Sequence, residues 1–150
     1  MRHIRLLLLF IAVSLGGGLL IGITNAPGEW YESLQKPVFN PPNWIFGPVW
    51  SVLYVMIGIA GARTWARGPS SAAMVAWFVQ MALNFVWTPV FFTARRPDVA
   101  LIVIAALLMA ILAFVALTWR RDRLSSLLFV PYAAWVAFAA VLNFEIWRLN

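Results

Sequence analysis

WYESLQKPVFNPPNWIFGPVW, from Trp30 to Trp50, crowds aromatics and prolines into a connector with few charges, between two apolar runs long enough to cross a bilayer. A solvated loop needs no such composition, because turns are made by Gly, Asn, Asp, Ser and single prolines. A membrane span takes about 20 mainly apolar residues. Working outward from the connector, five runs meet that length: Ile4–Thr24, Asn43–Ala62, Ala72–Ala94, Val99–Trp119 and Leu124–Trp147. The 150 residues are 63% hydrophobic and 11% charged, against about 25% charged in a soluble domain. The expected fold is an all-α membrane protein with a single domain over residues 1–150. Its five transmembrane helices form a bundle of sequential neighbours, with a long ordered loop at 25–42 between the first two. The first run, with Arg2 and Arg5 ahead of it, has the look of a leader. It continues to Thr24 without a small-x-small cleavage site, however, and reads as a retained span.

Composition excludes several chemistries. With no cysteine there is neither a disulfide framework nor a thiolate metal site or nucleophile. One histidine, His3, sits between Arg2 and Arg5 and reads as part of a basic flank, so no metal site is expected. Glu29 and Glu32 have no partner base, which leaves no acid/base pair for hydrolysis. The net charge of +6 is carried at span ends, not on one patch, so nucleic acid is not expected as a partner. Five spans put the amino terminus and the 63–71 and 120–123 connectors on one side, with Arg2, Arg5, Arg63, Arg67, Arg120, Arg121 and Arg123. The other side has Lys36, Arg95, Arg96 and Arg148. For an inner membrane the positive-inside rule makes the first side cytoplasmic, and the long loop then faces outward.

Following the spans places the unusual residues in the half of the membrane next to the loop. The second span enters with Trp44, Trp50 and Tyr54, the third leaves with Asn84 and Trp87, and the fifth carries Trp135, Ala139 and Asn143. Within a helix, Trp50 and Tyr54, Gln80 and Asn84, and Trp135, Ala139 and Asn143 recur at i+4 and share a face. An aromatic cavity opening toward the loop follows. Amides inside spans must face the bundle. Asn84, Asn143 and Gln80 are therefore either interhelical hydrogen-bonding groups or polar anchors in an apolar pocket. Trp30, Trp65, Trp119 and Trp147 fall at span ends and read as interfacial belt residues; Trp77 has no assigned role. The fourth span has no polar residue in its middle and is the one least expected to line a site.

Pro41 and Pro42 suit a first helical turn capped by Asn40. Pro48, Pro89 and Pro131 each free a carbonyl four residues earlier, at Trp44, Phe85 and Leu127, and favour kinks. Gly16, Gly17, Gly18 and Gly22 give the first span a smooth face for close packing or a dimer contact, and Ala72 with Ala76 offers a similar pair. Glu145 and Arg148, three residues apart, read as an interfacial ion pair.

Trp30-Tyr31, Leu34, Lys36-Pro37, Pro41-Pro42, Trp44, Gly47-Pro48-Val49-Trp50 and Tyr54 resemble the signature of the TspO/MBR family. So do LNFVWTPVFF (Leu83–Phe92) and PYAAWVAFAAVLNFEIWR (Pro131–Arg148). The resemblance spans most of the chain. It implies a multi-pass protein of a bacterial membrane, commonly a homodimer and with the third span favoured at the interface, that binds porphyrins such as protoporphyrin IX or haem, sterols and drug-like benzodiazepine-type ligands. No cofactor is required; a porphyrin or haem would be the ligand. The ligand-site residues it implies are Trp44, Tyr54, Asn84, Trp87, Trp135 and Ala139, beside Trp50 and Asn143 from the face analysis. Trp30, Lys36, Pro41 and Pro42 would belong to a loop lid. A sterol-recognition pattern of the family corresponds to Leu142, Phe144 and Arg148, but Phe144 lacks the phenol hydroxyl, so sterol ranks below porphyrin. A receptor or passive carrier is the leading expectation. Light- and oxygen-dependent porphyrin degradation through Trp44 and Trp135, and a partner-regulating scaffold, are the alternatives.

Overall fold

The computed structural model describes residues 2–150. Among the described residues, five helices are long and apolar enough to cross a membrane: α1 (Arg2–Thr24), α3 (Asn43–Arg67), α4 (Ala72–Thr93), α5 (Pro97–Thr118) and α6 (Arg123–Leu149). Between the first two, α2 (Glu29–Ser33) forms a single turn in the long loop. The chain is thus an integral multi-pass membrane protein built as a five-helix bundle. The most extensive packing is α4 on α5, α5 on α6 and α1 on α3.

α3 and α4 follow each other through a short connector, yet their backbones approach less closely. Trp77 is the reason. Its indole is wedged against Gly61, fully buried, and donates from Nε1 to the Ile57 carbonyl at 2.9 Å. A tryptophan without an assignable role in the sequence is a spacer that fixes the α3–α4 distance. α1 and α3 make the opposite kind of contact. A Cβ on Gly58 would lie 2.7 Å from Ile11 Cα, and one on Gly18 would lie 2.3 Å from the Tyr54 ring. Ser14, in a π-helical turn at Ala12–Gly16, donates from Oγ to the Tyr54 carbonyl at 2.8 Å. The smooth face of the first span therefore includes an internal contact at Gly18, and Gly17 likewise meets Phe85.

Two of the three span prolines break regularity. At Pro89 the helix widens into a π-helical turn, Pro89–Thr93, closed by Ala94 N–H to the Pro89 carbonyl at 2.8 Å. Before Pro131, α6 is interrupted at Phe129 between Arg123–Leu128 and Val130–Leu149. α3 runs on through Pro48. Asn40 does not cap α3: the helix begins at Asn43, after Pro42 at φ −59°, ψ 145°. Each proline pushes the residue before it out of the α region, so tandem prolines delay the helix.

α3 also continues past Ala62 to Arg67, beyond its apolar run. Arg63 makes a two-pronged contact with Asp122, Nη2 to Oδ1 at 2.9 Å and Nε to Oδ2 at 3.2 Å. Arg67 Nε stands 3.7 Å from Oδ2, and the Ser125 hydroxyl donates to the same carboxylate. Burial alone would raise the Asp122 carboxyl, but hydrogen bonds from Arg63 and Ser125 and the charges of both arginines outweigh it and hold it below the usual carboxylate range. Glu145 and Arg148 form the expected pair, at 2.6 Å.

Candidate functional site

At the loop end of the bundle, α1, α3, α4 and α6 enclose a cavity of about 440 Å3, within the range of about 300–1,000 Å3 usual for small-ligand sites. α3 presents Asn43, Phe46, Gly47, Trp50 and Tyr54 to it, a stripe at helical spacing. α6 presents Trp135, Ala139, Leu142, Asn143 and Ile146 in the same way. The π-helical turn at the end of α4 brings Phe91 and Phe92 to the wall beside Trp87 and Thr88. α5 contributes none of the lining residues, as its uniformly apolar sequence suggested.

Aromatic rings hold one another in place. Trp50 stacks on Tyr54 with centroids 5.4 Å apart and meets Tyr132 edge-on at 6.3 Å. Trp135 packs against Phe46 at 5.8 Å, and Trp87 against Phe91 at 5.2 Å. Trp87 donates from Nε1 to Asn143 Oδ1 at 3.0 Å, while Asn143 Nδ2 donates to the Pro97 carbonyl at 2.9 Å. The Asn143 amide thus ties three helices together at the cavity wall. Trp135 Nε1 and Asn40 Oδ1 are buried without a partner, so a donor and an acceptor on residues of this wall have capacity to spare.

Behind the wall runs a directed chain of buried polar groups. Tyr54 donates to Asn84 Oδ1, Asn84 Nδ2 donates to the Tyr132 hydroxyl, and Tyr132 donates to Gln80 Oε1, each at 2.7 Å. Asn84 therefore sits outside the cavity and acts on it through Tyr54. Both hydroxyls are satisfied, and only Gln80 Nε2 lacks a partner.

Of the eight side chains expected at the site, Trp50, Tyr54, Trp87, Trp135, Ala139 and Asn143 line this one cavity, and Asn84 lies behind it. Trp44 does not reach it: the side chain is 74% exposed, one position off the α3 stripe and so about 100° around the helix from Asn43. The expected lid residues Trp30, Lys36, Pro41 and Pro42 are also absent from the wall, and the loop instead contributes Asn25, Pro27, Tyr31 and Asn40. Trp30 braces the loop from behind, edge-on to Phe91 at 6.0 Å, and the Lys36 ammonium lies 4.5 Å over the Tyr31 ring. Tyr31 is buried against Phe92, and burial raises its phenol above the ordinary value. Leu142, Phe144 and Arg148 do not form one surface. Leu142 is buried at the cavity, Phe144 points outward and Arg148 is taken by Glu145. The α1 wall, with Gly18, Leu19, Gly22 and Ile23, had no signal beyond the glycine spacing, because a cavity wall made of missing side chains leaves no aromatic or polar mark.

The loop is tied down at two places. The Thr93 hydroxyl donates to Asn25 Oδ1. Asn150 clasps the main chain of Gln35, accepting from its N–H at 3.1 Å and donating to its carbonyl at 2.9 Å. Replacing Asn150 by alanine is expected to raise amide hydrogen exchange around 30–36 several-fold while leaving the span cores unchanged, because beyond the loop it removes only one contact, to the Ile146 carbonyl in the last turn of α6. Equal protection in the variant would show that aromatic packing alone holds the loop.

Residues 8–148 match the model of the TspO/MBR family. The chain is 41% identical over 145 residues to protein CrtK of Rhodobacter capsulatus, covering 94% of this chain and 89% of that one. It is 37% identical over 145 residues to a tryptophan-rich sensory protein of Cereibacter sphaeroides, covering 97% and 91%. It is 36% identical over 141 residues to the translocator protein of Homo sapiens, covering 89% and 83%. Five spans, a structured first loop and a match over nearly the whole length lead to one conclusion: the chain belongs to the TspO/MBR family.

Proposed function

We propose that this protein is a membrane receptor or passive carrier for flat, largely apolar tetrapyrroles, with protoporphyrin IX or haem as the ligand and the 25–42 loop as its lid. The observation that carries this reading is the cavity wall: Trp50, Trp87, Trp135, Tyr31 and Phe91 around about 440 Å3, with only a few polar groups. Aromatic walls suit a planar conjugated ring, each offset or edge contact adding about 0.5–1.5 kcal/mol beyond area burial. We further propose that, in an inner membrane, the amino terminus is cytoplasmic, on the strength of the arginine excess at that end.

The test is a protoporphyrin IX titration of the full chain in lipid nanodiscs. Saturable binding is expected. Trp50→Ala should weaken it about tenfold, since truncating a large half-buried aromatic of the cavity wall loses area as well as ring contacts. Trp44→Ala, away from the cavity, should leave it within about twofold on the same reasoning. Non-saturable partitioning in the wild type would overturn the assignment. Trp135 also supports a second reading, photo-oxidative degradation of the bound porphyrin, because an oxidisable indole lies in the wall. Bleaching under light that is lost in Trp135→Phe while binding persists would favour that reading, and stable absorbance would remove it.

A further inference from the structure

The end of the bundle opposite the cavity holds a second hollow of about 410 Å3, between the start of α1 and the end of α3. Half-buried Leu6, Leu7 and Ile59 line it together with His3, Arg63 and Arg67. Charge is distributed very unevenly between the two ends. This end carries Arg2, Arg5, Arg63, Arg67, Arg120, Arg121 and Arg123 against the single acid Asp122. At the other end Lys36, Arg95, Arg96 and Arg148 face an equal number of acids, Glu29, Glu32, Asp98 and Glu145. The whole net charge of +6 therefore belongs to one side of the membrane.

Asp122 satisfies only part of this excess. It is held by Arg63 in a two-pronged contact, whereas Arg67 is 3.7 Å away through Nε, donates from Nη1 to the Arg121 carbonyl at 2.6 Å and, among the described residues, keeps Nη2 free on a side chain that is 57% exposed. Both walls of the hollow are the end segments of spanning helices, so it opens at the depth where acyl chains meet headgroups. We propose that the hollow is a binding site for an anionic phospholipid. The phosphate accepts hydrogen bonds from Arg67, with His3 beside it, and an acyl chain covers Leu6, Leu7 and Ile59. Guanidinium groups match phosphate oxygens in geometry and charge, and basic hollows between helices at this depth suit anionic headgroups. A free phosphate would leave the apolar lining uncovered. A phosphatidylcholine headgroup would set its quaternary ammonium against the arginines.

The experiment exchanges the full chain into nanodiscs of phosphatidylcholine alone or mixed with phosphatidylglycerol, then identifies retained lipid by native mass spectrometry. Phosphatidylglycerol should be retained several-fold over phosphatidylcholine. Arg67→Gln should abolish that preference. So should Ala66→Phe, which fills the hollow from an exposed position without changing charge. Arg120→Gln, at the same end but outside the hollow, should keep it. Thermal unfolding in phosphatidylcholine checks each variant, and Ala66→Phe decides if Arg67→Gln fails to fold. No preference in the wild type, an equal loss in Arg120→Gln, or displacement of the lipid by inorganic phosphate would each overturn the proposal.

Discussion

Tyr132→Phe is expected to destabilise the protein by about 1–4 kcal/mol through the loss of one oxygen. The hydroxyl accepts from Asn84 and donates to Gln80 at a position with no solvent exposure. Its removal strands two buried amide groups together. Each costs about 1–3 kcal/mol when left unpaired, reduced in a membrane because the unfolded spans also find partners. Gln80→Leu should cost less, since it loses one bond but removes an amide nitrogen that already has no partner. Thermal unfolding in nanodiscs measures both. An unchanged midpoint for Tyr132→Phe, or equal losses for the two variants, would show that the chain is not cooperative. Tyr132 does not line the cavity, yet Tyr54 is oriented through Asn84, so the same variant should also weaken porphyrin binding.

Gly58→Ala is expected to cost about 1–3 kcal/mol or more, the range for inserting a methyl group into a filled core. The new carbon would lie 2.7 Å from Ile11 Cα and 2.9 Å from Ile11 N. The obstacle is backbone, which cannot rotate away, so α1 and α3 must separate. That separation would stretch the Ser14 bond to the Tyr54 carbonyl and move Gly18 off the Tyr54 ring, opening the α1 side of the cavity. Gly16→Ala is the matched control. Nothing lies within 4 Å of its added carbon, and alanine is favoured over glycine in a helix by about 1 kcal/mol. Unfolding midpoints should fall for the first variant and hold or rise for the second. Similar behaviour of the two would mean that the helix crossing tolerates a wider gap than the contact distances imply.

The spans were legible because a bilayer imposes one length on every apolar run, and their ends shifted by at most two residues except at α3, which runs five residues further where Arg63 and Arg67 meet Asp122. Much of the cavity face was legible too. Trp50 with Tyr54, and Trp135 with Ala139 and Asn143, keep the i+4 spacing that survives in any straight helix. Trp44 stands off the cavity stripe by the same spacing, and the family pattern pointed to it more strongly than its position around the helix. Asn25, Asn40 and Tyr31 could not be assigned from the chain alone. Their place on the wall depends on the path of the loop, which is decided by ring packing on Phe91 and Phe92 and by the Asn150 clasp. Asn84 was recognised as inward-facing, but whether an inward amide meets a ligand or another side chain depends on Tyr132, a helix away.

Because Asn150 holds Gln35 by its amide N–H and carbonyl only, the clasp is indifferent to the side chain it grips. Any residue with an N–H can occupy position 35, and proline alone is barred. Loop length is another matter, for inserting or deleting one residue on either side would present a different peptide unit, facing another way, to the same asparagine. Relatives that keep this clasp should therefore differ freely in the identity of that residue while conserving the count of residues between the first span and the second.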